Sequence, residues 1–277
     1  MKLLPAICLL LLLIPSSSSG QQALTRSEIK EAEQRLAGLG YWTGPVDGRF
    51  DTATRWALIA FQKYEGRKIT EKLTIDELEA IRTSASPKPR DLGYAHVEVD
   101  LDRQVLLIIG ELTESADPDS SGAHSKVRVL PVSTGNEKKF MSDGQESIAY
   151  TPRGRFVVYD KSFGWENGQL GSVYYANYIS GGVAIHGYLS VPNEPASHGC
   201  IRIPMFAARE VSKQLKLGTI VLVYDTVSFV SAKEWAKDPK LKEAAMLNGA
   251  APDYVDHTDA SKTKTPLKKA RPRITRT

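Results

Sequence analysis

The chain is poor in cysteine: of its 277 residues only Cys8 and Cys200 carry a thiol. Two thiols exclude a disulfide scaffold and a four-cysteine zinc site. No His-Glu-x-x-His run is present, which excludes a zinc-protease helix. Charge of one sign is not in large excess either, with 36 Lys and Arg against 32 Asp and Glu. Its placement is uneven. Residues 257–277 carry seven basic side chains against Asp259, Lys2 is the only charge among the first twenty residues, and residues 21–256 are left at −3. A mildly acidic body gives no reason to expect a nucleic-acid surface on the fold. Long apolar runs are missing as well. The longest, residues 3–14, has twelve residues, short of the ~20 that a membrane-spanning helix requires.

That run reads instead as the apolar core of a secretory signal over residues 1–20. Lys2 precedes it, Pro15 and a run of serines end it, and Ser18-Ser19-Gly20 offers a small-residue cleavage site. Export would place the chain in the periplasm or cell envelope. It would also leave Cys200 as the only thiol, either an inert buried residue or a working nucleophile.

Behind the signal the pattern divides. Across residues 27–82 the apolar side chains fall at helical spacing. Ile29, Ala32, Leu36 and Leu39 make one stripe, and Ala53, Trp56, Ala57, Ala60, Phe61 and Tyr64 another. Gly38 and Gly40 close the first helix, Asp51 is placed to cap the second, and Thr74 a third. Tyr41, Trp42 and Phe50, in the glycine-rich loop between the first two, are expected to be exposed. Trp56 and Phe61 are expected in the core of the small bundle. Residues 83–93, with Ser84, Ser86, Pro87 and Pro89, read as an interdomain linker.

From residue 94 to 225 the pattern becomes alternation and short apolar runs, the mark of strands. His96-Val97-Glu98-Val99-Asp100-Leu101 alternates, and runs follow at 105–109, 127–132, 155–159, 173–178, 183–185 and 220–224. Only residues 205–217 look helical, with Gly218 as the stop. The expected fold is α+β: a three-helix N-terminal domain, then a β-rich sandwich or mixed sheet. The polar stretch 113–125 reads as a solvated hairpin extension. Residues 226–256 read as an extension with one more helix, and 257–277 as a basic disordered tail suited to contact with anionic envelope polymers.

The lone thiol is the place to look for chemistry. A cysteine nucleophile must be a thiolate, and at an unperturbed pKa of ~8.5 it is mostly protonated at neutral pH. Cys200 stands in Ser197-His198-Gly199-Cys200-Ile201-Arg202, and His186 lies fourteen residues upstream, directly after Val183-Ala184-Ile185. A loop folding back would bring His186 against Cys200. Cysteine and histidine, with a third group orienting the imidazole, serve acyl transfer. Gly199 allows a tight turn whose backbone N–H groups can hold an oxyanion. Taken singly, each residue also fits a blander role: a core thiol, a loop histidine, a strand-end histidine. His186, His198 and Cys200 could together hold zinc with an open position. A papain-type protease would place its histidine well after the cysteine. His96, His124 and His257 have no partner at useful spacing.

Ser197 to Arg202, preceded by His186-Gly187, resembles the signature of the YkuD-type L,D-transpeptidase catalytic domain. Val132-Ser133-Thr134-Gly135, Thr151-Pro152-Arg153-Gly154-Arg155-Phe156 and Leu217-Gly218-Thr219-Ile220-Val221 extend the likeness over about residues 95–225. Two features depart from it. The loop between His186 and Cys200 is shorter than in many members, and Pro204-Met205 stands where an asparagine is often found. The stretch 40–66, from Gly40-Tyr41-Trp42 to Tyr64-Glu65-Gly66, with the helix before it, resembles a peptidoglycan-binding-like domain. These resemblances imply Cys200 as nucleophile and His186 as proton donor and acceptor, oriented by the Gly187 carbonyl. Ser197 would complete the catalytic loop, His198, Gly199 and Cys200 would frame the oxyanion site, Arg202 would bind a substrate carboxylate or order the loop, and Tyr188 would bind substrate. The implied partners are peptidoglycan stem peptides and glycan, with no metal or organic cofactor. Cross-linking would pass through a thioester. Water as acceptor would make the same site an L,D-carboxypeptidase, and a dead site would leave a wall-binding protein.

Overall fold

The computed structural model describes residues 23–113, 124–142, 144–168 and 170–226. The expectations for the export signal, for most of the 113–125 insertion, for the C-terminal extension and for the basic tail lie outside the described residues.

Three helices come first: α1 (Arg26–Leu39), α2 (Thr52–Tyr64) and α3 (Ile75–Thr83). Each has a side-chain N-cap. Thr25 and Glu28 form a reciprocal capping box on α1, Asp51 accepts from the Thr54 N–H, and Thr74 accepts from the Glu77 N–H. Gly40 stops α1 at φ +103, where an added Cβ would also meet the Val127 carbonyl oxygen at 2.4 Å. Only glycine fits there, so the turn that ends α1 also seats it against the rest of the molecule.

The remainder is β1 (His96–Asp100), β2 (Val105–Thr113), β3 (His124–Pro131), β4 (Lys139–Ser142), β5 (Gln145–Ile148), β6 (Gly154–Val157), β7 (Asp160–Lys161), β8 (Trp165–Gly168), β9 (Gly171–Ser180), β10 (Val183–Tyr188), β11 (Ile201–Pro204), α4 (Met205–Gln214) and β12 (Ile220–Tyr224). One sheet runs β3-β2-β1-β12-β6, parallel only between β1 and β12. A second runs β11-β10-β9-β7, with β8 on β9, and β4-β5 is a separate hairpin. The fold is α+β. Between the two sheets lies one core, where Val97, Val99, Leu106, Ile108 and Leu130 meet Ile179, Ile185, Ile201, Ile203 and Val211 of α4.

The opposite face of the first sheet is not solvated. Val105, Leu107, Ile109 and Val129 join Ala32, Leu36, Leu58, Phe61, Leu78 and Ile81 in a second core. The helices therefore share a core with the sheet, which corrects the expectation of an N-terminal unit hung on a linker. Tyr41, expected to be exposed, is buried at this junction, edge-on to Phe61 and bridged to Val129. Trp56, expected in the bundle core, is only half-buried. The 83–93 stretch is fastened along its length: Pro87 is buried, the Lys88 N–H donates to Tyr64 Oη at 2.9 Å, and the N–H groups of Arg90 and Asp91 donate to Glu98 at 3.0 and 2.8 Å. The buried Glu98 also takes His96 Nε2 at 3.1 Å, so His96 does have a partner.

Candidate active site

The parallel pairing of β10 with β11 sets Ile185 opposite Ile201 and His186 opposite Arg202. Cys200, the residue before β11, thus stands diagonally across from His186 on the neighbouring strand. Its side chain is half-buried and its Sγ lies 3.6 Å from the Gly182 carbonyl oxygen. Burial pushes the thiol up, against a weaker pull from the Ala184 backbone and the Arg202 charge. His186 is buried, and its Nδ1 lies 2.9 Å from the Gly187 carbonyl oxygen. A carbonyl only accepts, so Nδ1 carries the proton and Nε2 has the lone pair. Burial pushes His186 down to about 4, with the Gly187 hydrogen bond opposing and the Arg202 charge adding to the fall. The resting pair is therefore a neutral thiol and a neutral imidazole.

The loop that presents the thiol is laced to the segment 132–136. Ser133 exchanges two backbone hydrogen bonds with Arg202 at 3.1 and 3.0 Å, and the N–H groups of Ala196 and Ser197 both donate to the Thr134 carbonyl at 2.9 Å. Ser197 closes the turn: its Oγ donates to the Cys200 carbonyl at 2.6 Å and accepts from the Gly199 N–H at 3.0 Å. Gly199 has φ +139 and an added Cβ would lie 2.8 Å from the Tyr150 carbonyl oxygen, so no other residue fits the turn. Its N–H is engaged by Ser197, which corrects the expectation that it faces an oxyanion.

The remaining sequence-derived residues divide. Gly187 serves packing as well, since a Cβ there would lie 2.6 Å from Ala208 Cβ on α4. Arg202 lies 4.2 Å over the Tyr188 ring, whose edge meets His186 at 5.8 Å. Arg202 has no carboxylate partner among the described residues. His198 is exposed, with its ring 4.5 Å from Phe140 of the β4-β5 hairpin. Among the described residues no three His, Cys, Asp or Glu side chains are grouped closely enough to hold a metal ion.

Sequence reasoning passed over the supports. Thr151 Oγ1 donates to the Gly199 carbonyl at 2.7 Å and accepts from the Gly135 N–H at 2.8 Å. Gln104, buried at φ +53, ties Thr134 through its side-chain amide. Thr151 begins the Thr151–Phe156 stretch, but its bonds join positions 48 and 16 residues apart, which spacing alone does not reveal. Farther off, Trp42, Pro87, Leu92 and Arg128 line a groove of about 970 Å³ between the α1-α2 loop and the 85–93 segment, and the Arg128 guanidinium lies 4.7 Å over the Trp42 ring.

Residues 25–81 match the peptidoglycan binding domain family and residues 95–223 the L,D-transpeptidase catalytic domain family. No curated protein matches the chain. Among solved structures, the L,D-transpeptidase (residues 123–326) from Xylanimonas cellulosilytica is similar at 33% identity, covering 71% of this chain and 93% of that one, with a TM-score of 0.63. An L,D-transpeptidase from Stackebrandtia nassauensis shares 20% identity over 70% of this chain and 89% of that one, at a TM-score of 0.40. At 33% identity over 93% of the solved Xylanimonas fragment and 71% of its own length, this chain belongs to the L,D-transpeptidase family.

Proposed function

We propose that the chain is an exported enzyme that cross-links peptidoglycan stem peptides through a thioester on Cys200. The observation that carries the reading is the β10-β11 register, which brings a buried histidine with an oriented ring beside a half-buried thiol. Cys200 Sγ attacks the carbonyl carbon of the third, diamino-acid residue of a tetrapeptide stem while His186 Nε2 takes the thiol proton. The bond to the terminal D-alanine breaks, and that proton leaves on its amine. An amine from a second stem then attacks the thioester, the new amide forms, and its proton returns by way of His186 to the sulfur. Splitting one exchange into two acyl transfers lowers each barrier.

The other groups take supporting roles in this reading. The Gly187 carbonyl fixes the His186 tautomer. The Cys200 N–H is the donor we assign to the oxyanion, because the Gly199 N–H is held by Ser197. Arg202, stacked on Tyr188 and lacking a carboxylate partner among the described residues, receives a substrate carboxylate. The groove beside Trp42 receives the glycan, where an aromatic face and the Arg128 charge lie together.

Incubation with purified tetrapeptide stems and mass spectrometry of the products tests the reading. A cross-linked dimer that disappears in Cys200→Ala supports it. A tripeptide alone would make the protein an L,D-carboxypeptidase, and unchanged stems a binding protein; either result overturns cross-linking.

A further inference from the structure

The second helix drives a charged side chain under the active loop. Lys63 on α2 is 5% exposed, and its Nζ donates to the Val132 carbonyl at 2.9 Å. It follows Ile59 by four residues and Ala60 by three, so it occupies a stripe position that an apolar residue would fill more cheaply. The site it reaches is where the Cys200 loop is fastened. Ser133, next along, exchanges backbone bonds with Arg202 and holds the Glu194 carbonyl through Oγ at 2.8 Å. Beside the ammonium, Glu71 accepts from Asn193 Nδ2 at 3.0 Å, a second strut from the helical part to the same loop.

We propose that Lys63 is a positioning residue for the thiol chemistry: from the helical part it holds the 132–136 segment, and through it the loop that presents Cys200. It touches neither thiol nor substrate. The inference rests on the reading of Cys200 as nucleophile. The charges facing the ammonium are Glu71, from the loop after α2, and Glu194, from the loop before Cys200. Burial brings Lys63 down to about 8, with both carboxylates opposing. Above that pH an uncharged amine donates more weakly to the Val132 carbonyl, because charge assistance is lost, and the loop loosens.

The test uses the full chain with Lys63→Met and Glu71→Gln, the latter keeping an acceptor for Asn193 while removing the charge. Two readouts are taken: turnover of tetrapeptide stems, and amide hydrogen exchange at Ala196, Ser197 and Arg202, corrected for intrinsic rates. Lys63→Met should lower kcat about tenfold with KM changed less than about twofold, and speed exchange at those three amides while β12 stays protected. Glu71→Gln should keep the kcat of the native protein at pH 7 and move the alkaline loss of both activity and protection to lower pH. A Lys63→Met protein that melts normally and keeps native kcat and loop protection overturns the proposal. Where Lys63→Met does not fold, an unmoved alkaline limb in Glu71→Gln overturns it. Inactivity of the native protein on stems would refute the transpeptidase reading, and the exchange readout then decides the role of Lys63 by itself.

Discussion

Cys200 is half-buried and His186 buried, and the loss of water acts on them in opposite directions. The thiol goes up, and the imidazole goes down to about 4. In the proposed reaction, proton transfer therefore accompanies attack on substrate rather than preceding it. Alkylation of Cys200 by iodoacetamide should keep accelerating through pH 8 and beyond; a plateau at neutral pH would mean a preformed thiolate-imidazolium pair. The same burial predicts acid sensitivity. An unfolded histidine binds its proton near pH 6.5, whereas His186 resists until about 4. Between these values the unfolded chain holds more protons, so stability rises with pH across the window, by on the order of 3 kcal/mol. Melting temperature should fall as the pH is lowered from 6.5 to 4, and His186→Gln should flatten that slope. Parallel melting curves for the two proteins would refute the assignment. The placing of His186 on the strand beside the Cys200 loop, and of the Gly187 carbonyl against its ring, follows the expectation drawn from the His186-Gly187 and Ser197–Arg202 motifs. That the Gly199 N–H is unavailable to an oxyanion was not legible, because Ser197 Oγ takes it only once the turn has formed.

At the scale of elements, the second sheet stands on a glycine that admits no side chain. Gly187 lies in β10 under α4, where a Cβ would meet Ala208 Cβ at 2.6 Å and Met205 Sδ and Tyr174 Cδ1 at 3.2 Å. Backbone and helix must separate to accept a methyl group, and overpacking of this kind costs roughly 1–3 kcal/mol. Gly187→Ala should lower the unfolding free energy by that amount, read from denaturant melts, and displace His186, so that kcat falls more than KM rises. A Gly187→Ala protein with native kcat would mean that α4 yields without moving the strand. Thr151→Val should cost a further ~1–3 kcal/mol, because it strands the buried Gly199 carbonyl and Gly135 N–H; an unchanged denaturation midpoint would refute that role. Strands with apolar runs, such as β1, β2, β3, β10 and β12, were readable from sequence. The hairpin β4-β5 and strand β8 were not. The side chains of β5 and β8 are all exposed, so no alternation marks them, and β7 is two residues long. The stop at Gly218 was anticipated, but α4 ends earlier, at Gln214.

At the scale of the molecule, the run Val105–Ile109 carried more information than its reading as a strand. An unbroken apolar strand is one covered on both faces. Leu106 and Ile108 face the inter-sheet core, and Val105, Leu107 and Ile109 face the helices. What covers the second face is roughly 25 to 75 residues away in sequence, too distant for periodicity to show. The consequence is energetic. Removing residues 23–83 would uncover Val105, Leu107, Ile109 and Val129, all at most 2% exposed. At roughly 1.5–3 kcal/mol each, the loss is roughly 6–12 kcal/mol, comparable with the ~5–15 kcal/mol that holds a typical domain together. The deletion should therefore yield insoluble protein, or soluble protein without near-ultraviolet circular dichroism, rather than a working catalytic domain. Cutting the chain once between residues 84 and 93 removes no buried surface of that kind, so the nicked protein should elute from gel filtration as one species until denaturant is added. A folded, stem-processing deletion variant, or a nicked protein that separates into two parts in buffer, would show that the helices and the sheet are independent after all.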